Sequence, residues 1–258
     1  MSSEDQPASS PRSALTLGAI GLMALAAFVG LTSLGVWQIE RRAWKVDLIE
    51  RVDQRVHAEP VAAPGPAEWP GITPQSDEYR RVTVTGSFAN DRETLVQAST
   101  ELGPGFWVLT PLRSSRGFEI LINRGYVPAD RRDPATRAAG RPSGQVTVVG
   151  LLRMTEPGGG FLRSNDPAAD RWYSRDVAAI AARRGLEQAA PYFVDADATE
   201  NPGGWPVGGL TVIAFNNNHL VYAATWFGLA LMVAFGAWRV FLHERRIRRR
   251  GSVHKPGY

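Results

Sequence analysis

Two short runs of polar and aromatic residues stand at the edges of apolar stretches. One is His219, Tyr222 and Trp226, spaced i, i+3 and i+7, so that a helix presents them on one face. The other is Trp37 and Gln38, followed by Arg41 and Arg42. A neutral imidazole ligates iron, aromatic rings wall a flat macrocycle, and guanidinium groups pair with carboxylates. These are the parts of a haem site, with His219 on the metal, Tyr222, Trp226, Trp37 and Gln38 around it, and Arg41 and Arg42 for the propionates. A plainer reading stands beside it. Trp and Tyr gather at the interfaces of any membrane protein, and Asn216–Asn218 supply a helix cap.

Other chemistry is poorly represented. There is no Gly-x-Ser-x-Gly, no phosphate loop and no His-Glu-x-x-His. His57, His243 and His254 are not paired by spacing, and Asp195 with Asp197 reads as solvated carboxylates at a strand end. Gly158–Gly160 lacks the strand–helix setting of a nucleotide fingerprint, and NRGYVP (123–128) reads as strand-end turn chemistry. The absence of cysteine removes disulfides, c-type haem attachment and thiolate copper sites, and leaves only Met1, Met23, Met154 and Met232 as soft ligands. The expectation is a protein that is not an enzyme.

The elements that must position the two runs are two uncharged stretches. Residues 14–39 carry no formal charge, nor do residues 201–238. Each exceeds the ~20 residues a helix needs to cross a bilayer. The expected organisation is a cytoplasmic tail at 1–13, a transmembrane helix at 14–39, an extracytoplasmic domain at 40–209, a second transmembrane helix at 216–238 and a basic tail at 239–258. The chain's net charge is +4. Residues 1–39 net −1, residues 40–209 net −1, and residues 239–258 net +6. A balanced central domain argues against nucleic acid, and RRIRRR after a span marks the cytoplasmic side. Both termini are then cytoplasmic, although Glu40, Arg41, Arg42 and Lys45 place a weaker positive cluster outside. The first apolar core is longer than a signal-peptide h-region and lacks a small-residue cleavage site, so it reads as an uncleaved anchor. The N-terminus has no Arg-rich, acid-poor presequence, which favours a multi-pass protein of a bacterial cytoplasmic (inner) membrane.

After the first span, apolar residues from Ile39 to Val56 recur at helical spacing, so the helix runs on beyond the membrane. The proline-rich stretch 59–75 reads as an extended connector. Period-two patterning follows in 80–88, 93–99, 106–112, 117–125 and 145–153, with breaks at Gly-Pro-Gly (103–105) and in a polar stretch from Pro128 to Gly144. Residues 174–186 form a helix, with Ser174 as N-cap and Gly185 as stop, and 192–197 form a last strand. The fold class is therefore a membrane protein with two transmembrane helices flanking an α+β domain, built on a mainly antiparallel sheet or small barrel.

Several segments, in order, resemble the surfeit locus protein family of cytochrome c oxidase assembly factors. GVWQIERRAWK (35–45) resembles the family's Gly-x-Trp-Gln-x-x-Arg, and YRRVTVTGSF (79–88) its first domain strand. GFWVLTPL (105–112) resembles Gly-x-x-Val-x-Thr-Pro-Leu, and ILINRGYVP (120–128) resembles Asn-Arg-Gly-Trp-Val-Pro with Tyr126 for Trp. NNHLVYAATWFGLA (217–230) resembles the second-span signature. The resemblance implies a haem a chaperone, with haem a held transiently, His219 as its ligand, and the largest oxidase subunit or a haem A synthase as partner. The alternative is a membrane scaffold that stabilises oxidase assembly intermediates without binding haem.

Overall fold

The computed structural model describes residues 12–253 apart from 161, 214 and 216. Most of the N-terminal tail, Asn216 and His254 thus lie outside the described residues. Two compact units divide the chain, one containing Met1–Ile49 with Phe215–Tyr258 and the other Glu50–Ala214.

The first unit is built on two helices, α1 (Ala14–His57) and α4 (His219–Val253). Both are long and apolar enough to cross a membrane. Leu22, Met23, Val29, Leu231, Met232 and Phe235 are exposed on them, and exposed apolar patches of this kind mark interaction or membrane surfaces. Where the helices touch, the side chains are small: Ala223 and Ala230 are buried, and a Cβ on Gly35 would come within 2.7 Å of the Phe227 ring. Small residues let helix backbones approach closely when water does not drive association. The pair is antiparallel, with a polar contact at each end. At one end His219 Nδ1 and Gln38 Oε1 lie 2.7 Å apart. At the other, the Arg12 backbone N–H donates to the buried Glu244 carboxylate at 3.3 Å, and the Arg12 guanidinium lies 3.6 Å from it. His219 and Glu244 are about 37 Å apart along α4 at 1.5 Å per residue, just over the ~30 Å thickness of a hydrocarbon core.

The second unit is a barrel. Its strands are β1 (Val61–Ala62), β2 (Arg81–Phe88), β3 (Thr94–Thr100), β4 (Gly103–Ser114), β5 (Glu119–Pro128), β6 (Gln145–Met154), the small hairpin β7 (Gly159–Gly160) and β8 (Arg163–Ser164), and β9 (Ala189–Ala196). Two short helices, α2 (Pro74–Asp77) and α3 (Val177–Arg184), complete it. The order β2-β6-β9-β5-β4 closes on itself through β2–β4 pairing, and β1 and β3 extend it. Closure removes the exposed edges an open sheet would leave. The expectation of a small, mainly antiparallel barrel holds, with two departures: β5 and β9 run parallel, as do β1 and β2.

Alternation along the strands sorts side chains into two cores. Val82, Val84, Leu112, Ile120, Ile122, Leu152, Tyr192 and Val194 fill the barrel. Val96, Leu109, Leu121 and Phe193 point outward beneath Trp172 and the Val177 and Ile180 of α3.

Three local expectations are corrected. Gly103-Pro104-Gly105 does not break the chain but pairs with β3 as the start of β4. Helix α3 is capped by Asp176, whose side chain accepts from Ala179 N, while the Ser174 hydroxyl donates to Glu156 O. Gly185 ends the helix in the left-handed conformation, as the sequence predicts. The proline-rich stretch is not a free tether. Ala63 is buried in the barrel core, Trp69 and Ile72 pack against that core, and Trp69 meets Phe118 edge-on at 5.8 Å. Tyr192 donates to Pro64 O at 2.7 Å, and burial pushes its phenol well above the ordinary range. The connector thus plugs the end of the barrel where β5 and β9 begin.

Gly125 sits in β5 at φ +126°, and a Cβ there would lie 2.0 Å from Val207 O. Backbone bonds run both ways between Tyr126 and Val207 at that point. Gly125→Ala is expected to lower unfolding free energy by about 3 kcal/mol through backbone strain and this collision. Chemical denaturation of the purified full chain, read by tryptophan fluorescence, measures it.

Candidate functional site

The polar run on α1 and the one on α4 meet at one point. Gln38 and His219 are both half-buried, and they face each other across the helix pair. With the amide oxygen of Gln38 as acceptor, the ring proton resides on Nδ1 and the lone pair on Nε2. A metal-ligating histidine is commonly oriented this way by a second partner. Among the described residues Nε2 has no hydrogen-bond partner.

The remaining residues of the two runs are arranged unevenly around this pair. Trp226 is half-buried. Tyr222 is 54% exposed and Trp37 52% exposed, so both rings present faces to the surroundings. The buried line of α4 runs instead through Ala223 and Ala230, one step round the helix from Tyr222 and Trp226. Arg41 lies over the Trp44 ring at 4.0 Å, Arg42 is exposed, and Lys45 lies 5.1 Å from the Phe215 ring. Arg41 and Arg42 stand about one turn beyond Gln38 on α1. The helix start is Asn218–His219: Asn218 O accepts from the N–H groups of Val221 and Tyr222. No side-chain cap bond is made by Asn218 among the described residues, so it acts there through its backbone carbonyl.

The barrel holds a second polar cluster that the sequence reading misjudged. Asp195, read as a solvated carboxylate, is 3% exposed. It accepts from Asn123 Nδ2 at 2.7 Å, Arg153 Nη1 at 2.8 Å, Thr211 Oγ1 at 3.0 Å and Arg175 Nη1 at 3.2 Å. Arg175 also grips Glu156, and Arg153 lies 3.5 Å from Glu78. Burial opposes the charge on Glu156, but its bonds to Arg175 outweigh this and hold its carboxyl below the usual range. For Arg175 burial likewise opposes the charge, and Glu156 and Asp195 together raise it above the ordinary arginine value. A cleft of about 200 Å³ lies beside the cluster, walled by Trp107, Gly125 and Leu210.

NRGYVP is likewise not a turn. All six residues lie in β5, and Asn123 and Arg124 are buried on opposite faces of the strand. Asn123 follows Leu121 on the outer face, toward Asp195. Arg124 follows Ile122 toward the barrel interior, where its guanidinium lies over the Phe88 ring at 4.7 Å. Its Nη2 donates to Gly140 O and to Asn201 Oδ1. Burial, with Arg137 and Arg141 nearby, pulls its pKa down to about 10 against the opposing pull of Glu93. An arginine and an asparagine in a strand otherwise made of Ile, Leu, Tyr and Val were the available signal. A charged residue inside a closed strand has to be accounted for by a partner.

An antiparallel pair of long apolar helices, joined in sequence by a closed β-barrel and carrying one histidine at the helix junction, defines the class of chain. The SURF1 family model matches residues 25–231, which include both Gln38 and His219. Surfeit locus protein 1 of Rattus norvegicus is 36% identical over 228 residues, covering 82% of this chain and 72% of the relative. The Homo sapiens protein of the same name is 35% identical over 227 residues, covering 81% and 73%. A SURF1-like protein of Monosiga brevicollis is 37% identical over 237 residues, covering 86% and 87%. The chain belongs to the SURF1 family.

Two predictions follow from the barrel cluster. Asp195→Ala leaves Arg153 and Arg175 with Glu78 and Glu156 alone and takes the acceptor from Asn123 and Thr211, and is expected to cost about 3 kcal/mol of unfolding free energy, measured by urea titration. Glu156→Gln removes a group whose folded pKa is depressed. Its stabilisation is present above the ordinary glutamate pKa and lost as pH falls through the folded value. The variant should therefore be less stable than wild type at neutral pH, and the gap should narrow as the pH is lowered below the ordinary glutamate range. Urea midpoints at neutral and acidic pH measure this.

Proposed function

We propose that this chain is a membrane-anchored assembly factor for haem–copper cytochrome c oxidase that binds haem a transiently through His219 and assists its insertion into the largest oxidase subunit. The observation that carries the reading is the Nδ1 contact of His219 with Gln38, which leaves Nε2 with its lone pair for iron. Among the described residues no three His, Cys, Asp or Glu side chains converge. A bare ion therefore finds no cage there, whereas haem brings four nitrogens and needs one imidazole. When bound, the haem supplies the iron and its porphyrin; this chain supplies the ligand, its orientation and the surroundings. Trp37, Tyr222 and Trp226 offer aromatic walls around His219, and Arg41 and Arg42 offer cations for the propionates one turn along α1.

Both helices span the bacterial cytoplasmic (inner) membrane in this reading. The six net charges of the tail keep both termini cytoplasmic, and the barrel lies outside the cytoplasm. The largest oxidase subunit or a haem A synthase is the partner the function requires.

The same hydrogen bond favours a second reading. A His–Gln contact between spanning helices is itself worth roughly 1 kcal/mol as interhelical glue, which suits a scaffold that stabilises oxidase intermediates and binds no haem. A visible spectrum of the protein purified from cells that make haem a separates the two. On the first reading wild type carries haem a, His219→Ala carries none, and Gln38→Ala lowers haem affinity about 10–100-fold by freeing the imidazole. Wild-type protein without haem a, or unchanged loading of His219→Ala, selects the scaffold. Neutralising Arg41 and Arg42 together should weaken loading, and unchanged occupancy counts against their propionate role.

A further inference from the structure

The two ends of the barrel are finished differently. The proline-rich stretch plugs the end where β5 and β9 begin, through Ala63, Trp69 and Ile72. At the other end, where β5 and β9 finish, a cavity of about 250 Å³ opens among Phe88, Ile122, Val146, Val148 and Pro202, with Arg124 in its wall. Barrel mouths are a usual place for small ligands.

Arg124 is 2% exposed. Its two bonded acceptors, Gly140 O and Asn201 Oδ1, are neutral. Among the described residues its Nη1 is buried and has no hydrogen-bond acceptor. The carboxylate that raises the Arg124 pKa is already used, because Glu93 is held by both terminal nitrogens of Arg137. Glu93 acts on Arg124 favourably, while Arg137 and Arg141 act against its charge, so Arg124 has neighbouring charges but no acceptor of its own for Nη1. A guanidinium withdrawn from water with a free donor edge is matched best by a carboxylate, which accepts in the same plane and neutralises the charge.

The remaining walls narrow the choice. They are mostly apolar, so the body of the ligand is apolar. A dry cavity of 150 Å³ holds a benzene ring, so this one suits a body of roughly six to ten heavy atoms. Asp197 and Glu200 stand at the rim. Their charge repels any anion, and it opposes a polyanion such as a phosphate ester more strongly than a single carboxylate.

We propose that the open mouth of the barrel binds a small monocarboxylate with an apolar body, its carboxylate seated on Arg124 and its body against Phe88, Val146 and Val148. This site is independent of the haem reading and stands or falls without it.

Isothermal titration of the full chain in nanodiscs, with empty nanodiscs as reference, tests the proposal. Hexanoate is the probe, and hexan-1-ol, hexylamine and pyrophosphate are the comparisons. Saturable hexanoate binding is expected, at least tenfold tighter than each of the other three. Arg124→Met should weaken hexanoate at least tenfold, and so should Val146→Phe, which fills the mouth and leaves Arg124 in place. Equal binding of hexanol overturns the proposal, as does tighter binding of pyrophosphate or no saturation by about 10 mM hexanoate. If Arg124→Met does not fold, as judged by circular dichroism, Val146→Phe decides: undiminished hexanoate binding there overturns it as well.

Discussion

A carboxylate shut away from water needs donors on every side, and Asp195 at the parallel junction of β5 and β9 has them. Asn123, Arg153, Arg175 and Thr211 come from β5, β6, the approach to α3 and the segment after β9. An unpaired buried charge is costly enough to reorganise its surroundings. The cluster therefore fixes how four separate pieces of chain meet on the outside of the barrel. It also fastens residues 205–211, which lead in sequence to α4, because Thr211 bonds to Asp195 while Val207 pairs with Tyr126 and Gly209 with Ala196.

Strand β5 gives the domain two unlike faces. Alternate side chains point to opposite sides of a sheet. Asn123 accordingly joins the ionic cluster outside, while its neighbour Arg124 enters the barrel mouth. Gly125 then lets Val207 lie close enough to pair. Three consecutive residues thus serve the outer cluster, the interior and the covering segment, which explains why a short polar run can sit within a strand of Ile, Leu and Val.

The helix pair follows a different logic. Small contacts and a few polar pairs set the register of the two apolar helices. Gly35 against Phe227 allows close approach. Gln38 with His219 marks one end and Arg12 with Glu244 the other. The imidazole is consequently held between the helices with Nδ1 engaged by Gln38.

The sequence alone determined what depends on local pattern. Uncharged stretches marked both long helices, period two marked the strands, and Gly185 marked the end of α3. Helical spacing and a common depth also brought Gln38 and His219 to the same level before any contact was known. What the sequence left undecided depends on partners far along the chain. The Asn123–Asp195 bond joins residues 72 apart, and the Arg124–Asn201 bond joins residues 77 apart. A lone aspartate reads as solvated, and Asn-Arg-Gly reads as a turn, until barrel closure removes their water. Proline read as an open connector for the same reason, since its restricted backbone says nothing of where Trp69 packs. Local composition sets the conformation of a segment; only the closed tertiary structure sets its solvent, and burial decides whether a polar residue is a surface group or the centre of a site.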